Sequence, residues 1–225
     1  MEQLFGEPLF YVFFIYGLSF MIMAYVVIDK ITKASQLTLV SSFYALCFFG
    51  LTHGTAELTD WVRFMMKILG VSQMSFFTYL SQISVILSFV LLLQFGINLL
   101  SYKSEKRTFF RLLPVGLFAV FLVAVIALGV GDILKIGLLA RYSFGFVGSL
   151  ISAVALFRLA QTLKVIGSRK LVVGLTVTAV AFALYAVFGG LIIDPIAGIP
   201  IQIFRAACAV TIAISSFSAL DVFIV

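Results

Sequence analysis

Seven apolar runs, each about as long as a bilayer is thick, constrain this chain more than anything else in it. They lie near residues 8–28, 37–57, 75–100, 112–131, 138–160, 171–193 and 200–222. Crossing about 30 Å of hydrocarbon takes roughly 20 helical residues. Lipid offers no partner for backbone N–H and C=O groups, so a spanning segment must be a helix or part of a closed strand barrel. A barrel would show ten-residue stretches of alternating polarity, and these runs are continuous. The expectation is an all-α membrane protein, one domain over residues 1–225, folded as a seven-transmembrane helix bundle. With 63% hydrophobic and 11% charged residues and a mean hydropathy of +1.23, a soluble domain of this size could not hide its apolar surface.

The basic residues set the orientation. The connections after spans one, three and five carry Lys30 and Lys33, then Lys103, Lys106, Arg107 and Arg111, then Arg158, Lys164, Arg169 and Lys170. The other side holds Arg63, Lys67, Lys135, Arg141 and Arg205. Ten against five predicts an outside N-terminus and a cytoplasmic C-terminus in a cell inner (cytoplasmic) membrane. Glu2, Glu7, Glu57, Asp60, Asp132 and Asp194 then fall on the outer side. The N-terminal Met1-Glu2-Gln3 lacks the positive region of a signal peptide, so the first run reads as a retained span. The basic groups are scattered through short loops, which argues against a nucleic-acid partner. The bilayer is the partner that composition requires.

Polar chemistry concentrates in two places. The first is Leu51–Trp61, which holds the only histidine and the only tryptophan. On a helix His53, Glu57 and Asp60 are spaced i, i+4, i+7 and share one face. From Leu58 to Gly70, Asp60, Arg63 and Lys67 make a narrow polar stripe among apolar neighbours. That pattern predicts a short interfacial helix between spans two and three, with Trp61 as its membrane anchor, or a helix that re-enters the end of the bundle. The second place is the start of span seven, where Gln202 and Arg205 are spaced i, i+3 and Arg205 sits about one turn inside. An arginine at that depth needs a partner or must snorkel. An ion pair from Arg205 to Glu57 or Asp60 is the first expectation. The tight links Gly129-Val130-Gly131-Asp132 and Asp194–Pro200 predict sharp helix ends, the second bracketed by Pro195 and Pro200.

Several function classes lose support at this point. Walker, dinucleotide-binding, zincin and nucleophile-elbow patterns are missing, so catalysis has no sequence basis. Cys47 and Cys208 lie within apolar runs without metal-type spacing and read as small packing residues. A single histidine rules out bis-histidine haem within one chain. Haem held by His53 and a second ligand, or shared between two chains, is an alternative, as is a metal on His53 and Glu57. Span seven has no lysine to carry retinal. A transporter or a membrane subunit of a redox complex is the rival class, but repeats and midplane helix breaks are not seen.

The stretches Phe49-Gly50-Leu51-x-His53-Gly54-x-x-Glu57 and Gly198-Ile199-Pro200-x-Gln202-x-Phe204-Arg205-Ala206 resemble the seven-span sensor region at the front of certain bacterial histidine kinases. Similar regions front membrane-bound diguanylate cyclases. The resemblance implies a sensory input module, working as a homodimer, whose seventh span leads to a cytoplasmic kinase of a two-component system or to another output domain. It carries His53, Glu57, Gln202 and Arg205 over as ligand-site positions, to which the polar pattern adds Asp60 and Trp61. Two departures stand out: Leu58 follows the glutamate where an aromatic is expected, and this sequence ends at Asp221–Val225 before any output domain, as the input portion of a longer protein would or a stand-alone relative working with a separate partner. A membrane-soluble ligand with a polar head, such as a quinone, suits the donors His53 and Arg205.

Overall fold

A computed structural model describes residues 7–33, 40–72, 74–164 and 168–220. Glu2, Gln73, the start of the second run and the Asp221–Val225 tail lie outside the described residues. Seven long helices follow one another: α1 (Pro8–Lys33), α2 (Val40–Ile68), α3 (Ser75–Leu100), α4 (Arg107–Ala127), α5 (Ile133–Leu163), α6 (Arg169–Leu191) and α7 (Ile201–Leu220). All but α2 are long and apolar enough to cross a bilayer, which makes this a multi-pass membrane protein. The exception has a physical cause. The middle of α2 carries Thr52, His53, Thr55, Glu57, Thr59 and Asp60, of which His53, Glu57 and Thr59 are buried.

Six helices close a ring in the order α1, α2, α3, α5, α6, α7 and back to α1. The fourth helix stands outside and packs chiefly on α3, with only 11% of its apolar window buried. Because α4 is displaced, α3 and α5 meet directly and run parallel. Their close approach uses Gly96 against Ser152 and Gly148 against Leu93. The α1–α2 contact is antiparallel and equally close. A Cβ on Gly54 would lie 2.9 Å from the Gly17 carbonyl oxygen, and one on Gly50 would lie 2.8 Å from that of Phe20. Gly50 and Gly54 form a G-x-x-x-G pair, the small-residue signature that lets membrane helices touch backbone to backbone. Lipid tails are as apolar as the side chains, so such close packing replaces the hydrophobic drive available in water. Cys47 and Cys208 are free and buried in helix contacts.

The helix ends agree with their turn chemistry. Gly129 adopts φ 65° and closes α4, and the Asp132 side chain accepts from Leu134 N at 2.9 Å to open α5. Between α6 and α7, Ile196 and Ile199 pair across a two-residue turn at Ala197 and Gly198, both with positive φ. The interfacial helix expected between spans two and three is corrected: α2 continues unbroken to Ile68. No proline or glycine interrupts 55–69, and the apolar side of that stretch finds α1 as a partner. Trp61 packs on Phe10 and Phe14 at ring distances of 5.5 and 5.1 Å.

Two helices contain π-helical turns, Arg141–Phe146 in α5 and Ala186–Leu191 in α6. They face each other, with the Gly190 α-carbon close to the Phe146 backbone. Such bulges concentrate at functional sites because each re-aims a few side chains and frees carbonyls.

Candidate functional site

His53 lies inside the ring and is 0% exposed. The rings of Phe20, Phe49, Phe89, Tyr16 and Tyr185 surround it at centroid distances of 4.8–5.9 Å. Its Nδ1 is 2.7 Å from Ser88 Oγ, and Ser88 in turn donates to the Val85 carbonyl at 2.6 Å. A hydroxyl has one proton. Ser88 has committed its own, so Nδ1–H donates to Ser88 and the lone pair sits on Nε2. Tyr185 Oη lies 2.7 Å from Nε2 and donates to it. Tyr16 Oη is 2.6 Å from Tyr185 Oη, donates there, and lies 3.3 Å from Nε2. Glu57, 5% exposed and one turn on, brings Oε1 to 3.5 Å from Nε2. Four helices therefore meet at one imidazole.

Each partner arrives for a local reason. Glu57 shares the His53 face at i+4. Ser88 sits on α3 with its proton held by i−3 back-bonding within the helix. Tyr185 is the last residue of regular helix before the π turn of α6, which places its hydroxyl over the ring interior.

Arg205 is 7% exposed, yet its guanidinium does not reach a carboxylate. Nε donates to the Phe188 carbonyl at 2.8 Å and a terminal nitrogen donates to the Ile192 carbonyl at 2.8 Å. The expected ion pair with Glu57 or Asp60 is thus corrected. The C-terminal end of α6 presents carbonyls without helical partners and the negative end of the helix dipole, and both favour a cation there. Arg141 does the same from α5, donating to the Gly189 carbonyl at 2.6 Å while lying over the Phe89 ring at 5.6 Å. Two arginines clamp one π turn.

The other sequence candidates separate from this centre. Asp60 pairs with Arg63 at 2.7 Å on the half-exposed side of α2. Trp61 packs on α1 with Nε1 lacking a hydrogen-bond partner. Gln202 is half-buried at the start of α7. The structure gathers His53 and Glu57 into the cluster, puts Arg205 beside it on the end of α6, and leaves Asp60, Trp61 and Gln202 outside. Tyr16, Ser88, Arg141 and Tyr185 are members that the sequence did not single out. Polar hydroxyls inside apolar runs were the available signal.

Haem does not fit the site as folded. Both ring nitrogens of His53 are hydrogen-bonded and its faces are covered, leaving no open axial position for iron. Among the described residues no group of three His, Cys, Asp or Glu side chains is placed to hold a metal ion. Comparison with family models, with curated proteins and with solved structures gives no match for this chain.

Proposed function

We propose that this chain is a membrane-embedded sensory module with seven spans, its N-terminus outside, in which the His53 cluster and the arginine clamp form the input site. The observation that carries the reading is a continuous linkage. His53 is held by Tyr185 of α6, and the π turn that follows Tyr185 is held by Arg205 of α7. A molecule presenting a carbonyl or carboxylate competes with the Phe188 and Ile192 carbonyls for Arg205, or with His53 Nε2 for the Tyr185 hydroxyl. The first competition loosens α6 from α7, and the second frees the Tyr185 turn of α6 from α2. A ligand that binds the loosened packing better shifts the population towards it by its difference in affinity. Movement of α7 relative to α6 then carries the signal to the basic end of the bundle, where a cytoplasmic output domain or partner reads it.

The ligand class is a small membrane-soluble molecule with an oxygen-bearing head, such as a quinone or a fatty acid. Entry requires opening, since His53 is sealed in this packing. The test places spin labels at Val173 of α6 and Ile214 of α7, both exposed, in protein reconstituted into nanodiscs. A short-chain quinone and a fatty acid are titrated in turn. One of them should change the label-to-label distance, and His53→Ala and Arg205→Ala should abolish the change. Unchanged distances with both probes, or a change that persists in both variants, would falsify the reading.

A further inference from the structure

The geometry points to a binding site for one anionic phospholipid at the basic end of the bundle, on the far side from the His53 cluster. Two adjoining hollows form it. The first is a trough between α5 and α6 of about 700 Å³, bounded by Leu150, Val154, Phe157, Ala179 and Ala183 and ending at Arg158, Gln161 and Thr162. The second is a pocket of about 200 Å³ between α3 and α5, lined by Tyr102 and Lys103 as well as by Arg158 and Thr162. Arg158 and Thr162 belong to both, so the apolar trough opens into a pocket with two cations.

The dimensions match a lipid. From Leu150 to Thr162 the helix rises about 18 Å at 1.5 Å per residue. One leaflet is about 15 Å thick, half of the hydrocarbon core. An acyl chain can therefore lie along the trough while its head reaches the pocket. Arg158 sits about 7–8 Å inside the Leu163 end of α5, where a lone charge is costly. Among the described residues no carboxylate pairs with it. It is exposed and snorkels towards the α3 side, where Lys103 sits with its Nζ 5.3 Å from the Tyr102 ring. A phosphodiester supplies the missing negative charge and Gln161 supplies a neutral donor, while the Thr162 hydroxyl already donates to the Arg158 carbonyl at 3.0 Å. A zwitterionic head brings its own cation and gains less. Basic pockets between helices at the positive side of a membrane suit anionic head groups for this reason.

The test is native mass spectrometry of the intact protein released from bilayers of equal phosphatidylglycerol and phosphatidylcholine. One phosphatidylglycerol should stay bound in preference to phosphatidylcholine. Arg158→Gln and Lys103→Gln should each lower that preference about fivefold, the worth of one basic residue near an anionic surface. Arg111→Gln, at the same end but on α4, should leave it unchanged. Val154→Trp should fill the trough and expel lipid while both cations stay in place. Excess inorganic phosphate should not displace the lipid, which separates a lipid seat from a free-phosphate site. Equal retention of the two lipids overturns the assignment. So does a preference that survives both charge variants, or one that falls equally in Arg111→Gln.

Discussion

Replacing glycine by alanine at two positions should move stability in opposite directions, and the sign at each follows from geometry alone. In a helix the exchange gains roughly 0.5–1 kcal/mol of backbone entropy and propensity. At Gly116 of α4 a Cβ meets no atom within 4 Å, so this gain stands undiminished. At Gly54 the new Cβ would lie 2.9 Å from the Gly17 carbonyl oxygen, 2.9 Å from Met21 Cγ and 3.2 Å from the Met21 backbone nitrogen. Two of those three atoms are main chain, so no rotamer change relieves the contact. The α1–α2 pair must separate by several tenths of an ångström, and overpacking of this kind costs about 1–3 kcal/mol. The net expectation is a loss of about 1–2 kcal/mol for Gly54→Ala and a gain of about 0.5 kcal/mol for Gly116→Ala. Unfolding in mixed micelles with increasing dodecyl sulfate, followed by helical circular dichroism, gives both midpoints under one set of conditions. If the two variants shift the same way, or if Gly54→Ala is neutral, the close α1–α2 contact is not what holds those helices.

Three further expectations address the polar side chains in and around the centre. A double-mutant cycle of Tyr16→Phe and Tyr185→Phe should return a coupling of about 0.6 kcal/mol and not above about 1.7, the range seen for side-chain hydrogen bonds inside membranes. Additive effects in the same unfolding assay would break the proposed Tyr16–Tyr185–His53 chain. Arg205→Ala strands two part-buried carbonyls and should cost about 1–3 kcal/mol, with Arg205→Lys recovering part of it. Equal losses in both would mean that donation to Phe188 and Ile192 is not the residue's role. Asp60→Asn breaks only a half-exposed i, i+3 pair and should change stability by at most about 0.5 kcal/mol. A larger loss would show that Asp60 reaches a partner beyond Arg63.

What is legible in the residues alone divides along a physical line. Continuous apolarity marks a helix wherever lipid is the solvent, so the seven helices fall where the runs place them. Helix-stop chemistry at Gly129, Asp132, Pro195 and Pro200 is equally legible, because it acts within a few residues. The His53 partners are not, since Tyr16, Ser88 and Tyr185 look like ordinary members of apolar runs until the ring order is known. Nor is the destination of Arg205. Charge counting looks for an opposite charge, whereas a helix end offers neutral carbonyls that sequence does not display. The break expected after Glu57 fails for a related reason. An amphipathic stretch of polar and apolar faces looks the same at a water boundary as against a neighbouring helix, and here α1 supplies the neighbour.

The closed ring has a consequence for how the chain is made. Its closing contact joins α1 to α7, so it forms only after the intervening five helices have been synthesised. Ribosomal delivery runs from the N-terminal end, and units pack as they emerge. Before α6 arrives, the imidazole of His53 has Ser88 on one side but no Tyr185 hydroxyl on the other. A growing intermediate of α1, α2 and α3 therefore carries a half-bonded histidine and a buried glutamate towards lipid or the insertion machinery. That polar seam is closed only when α6 brings Tyr185 and α7 completes the circle.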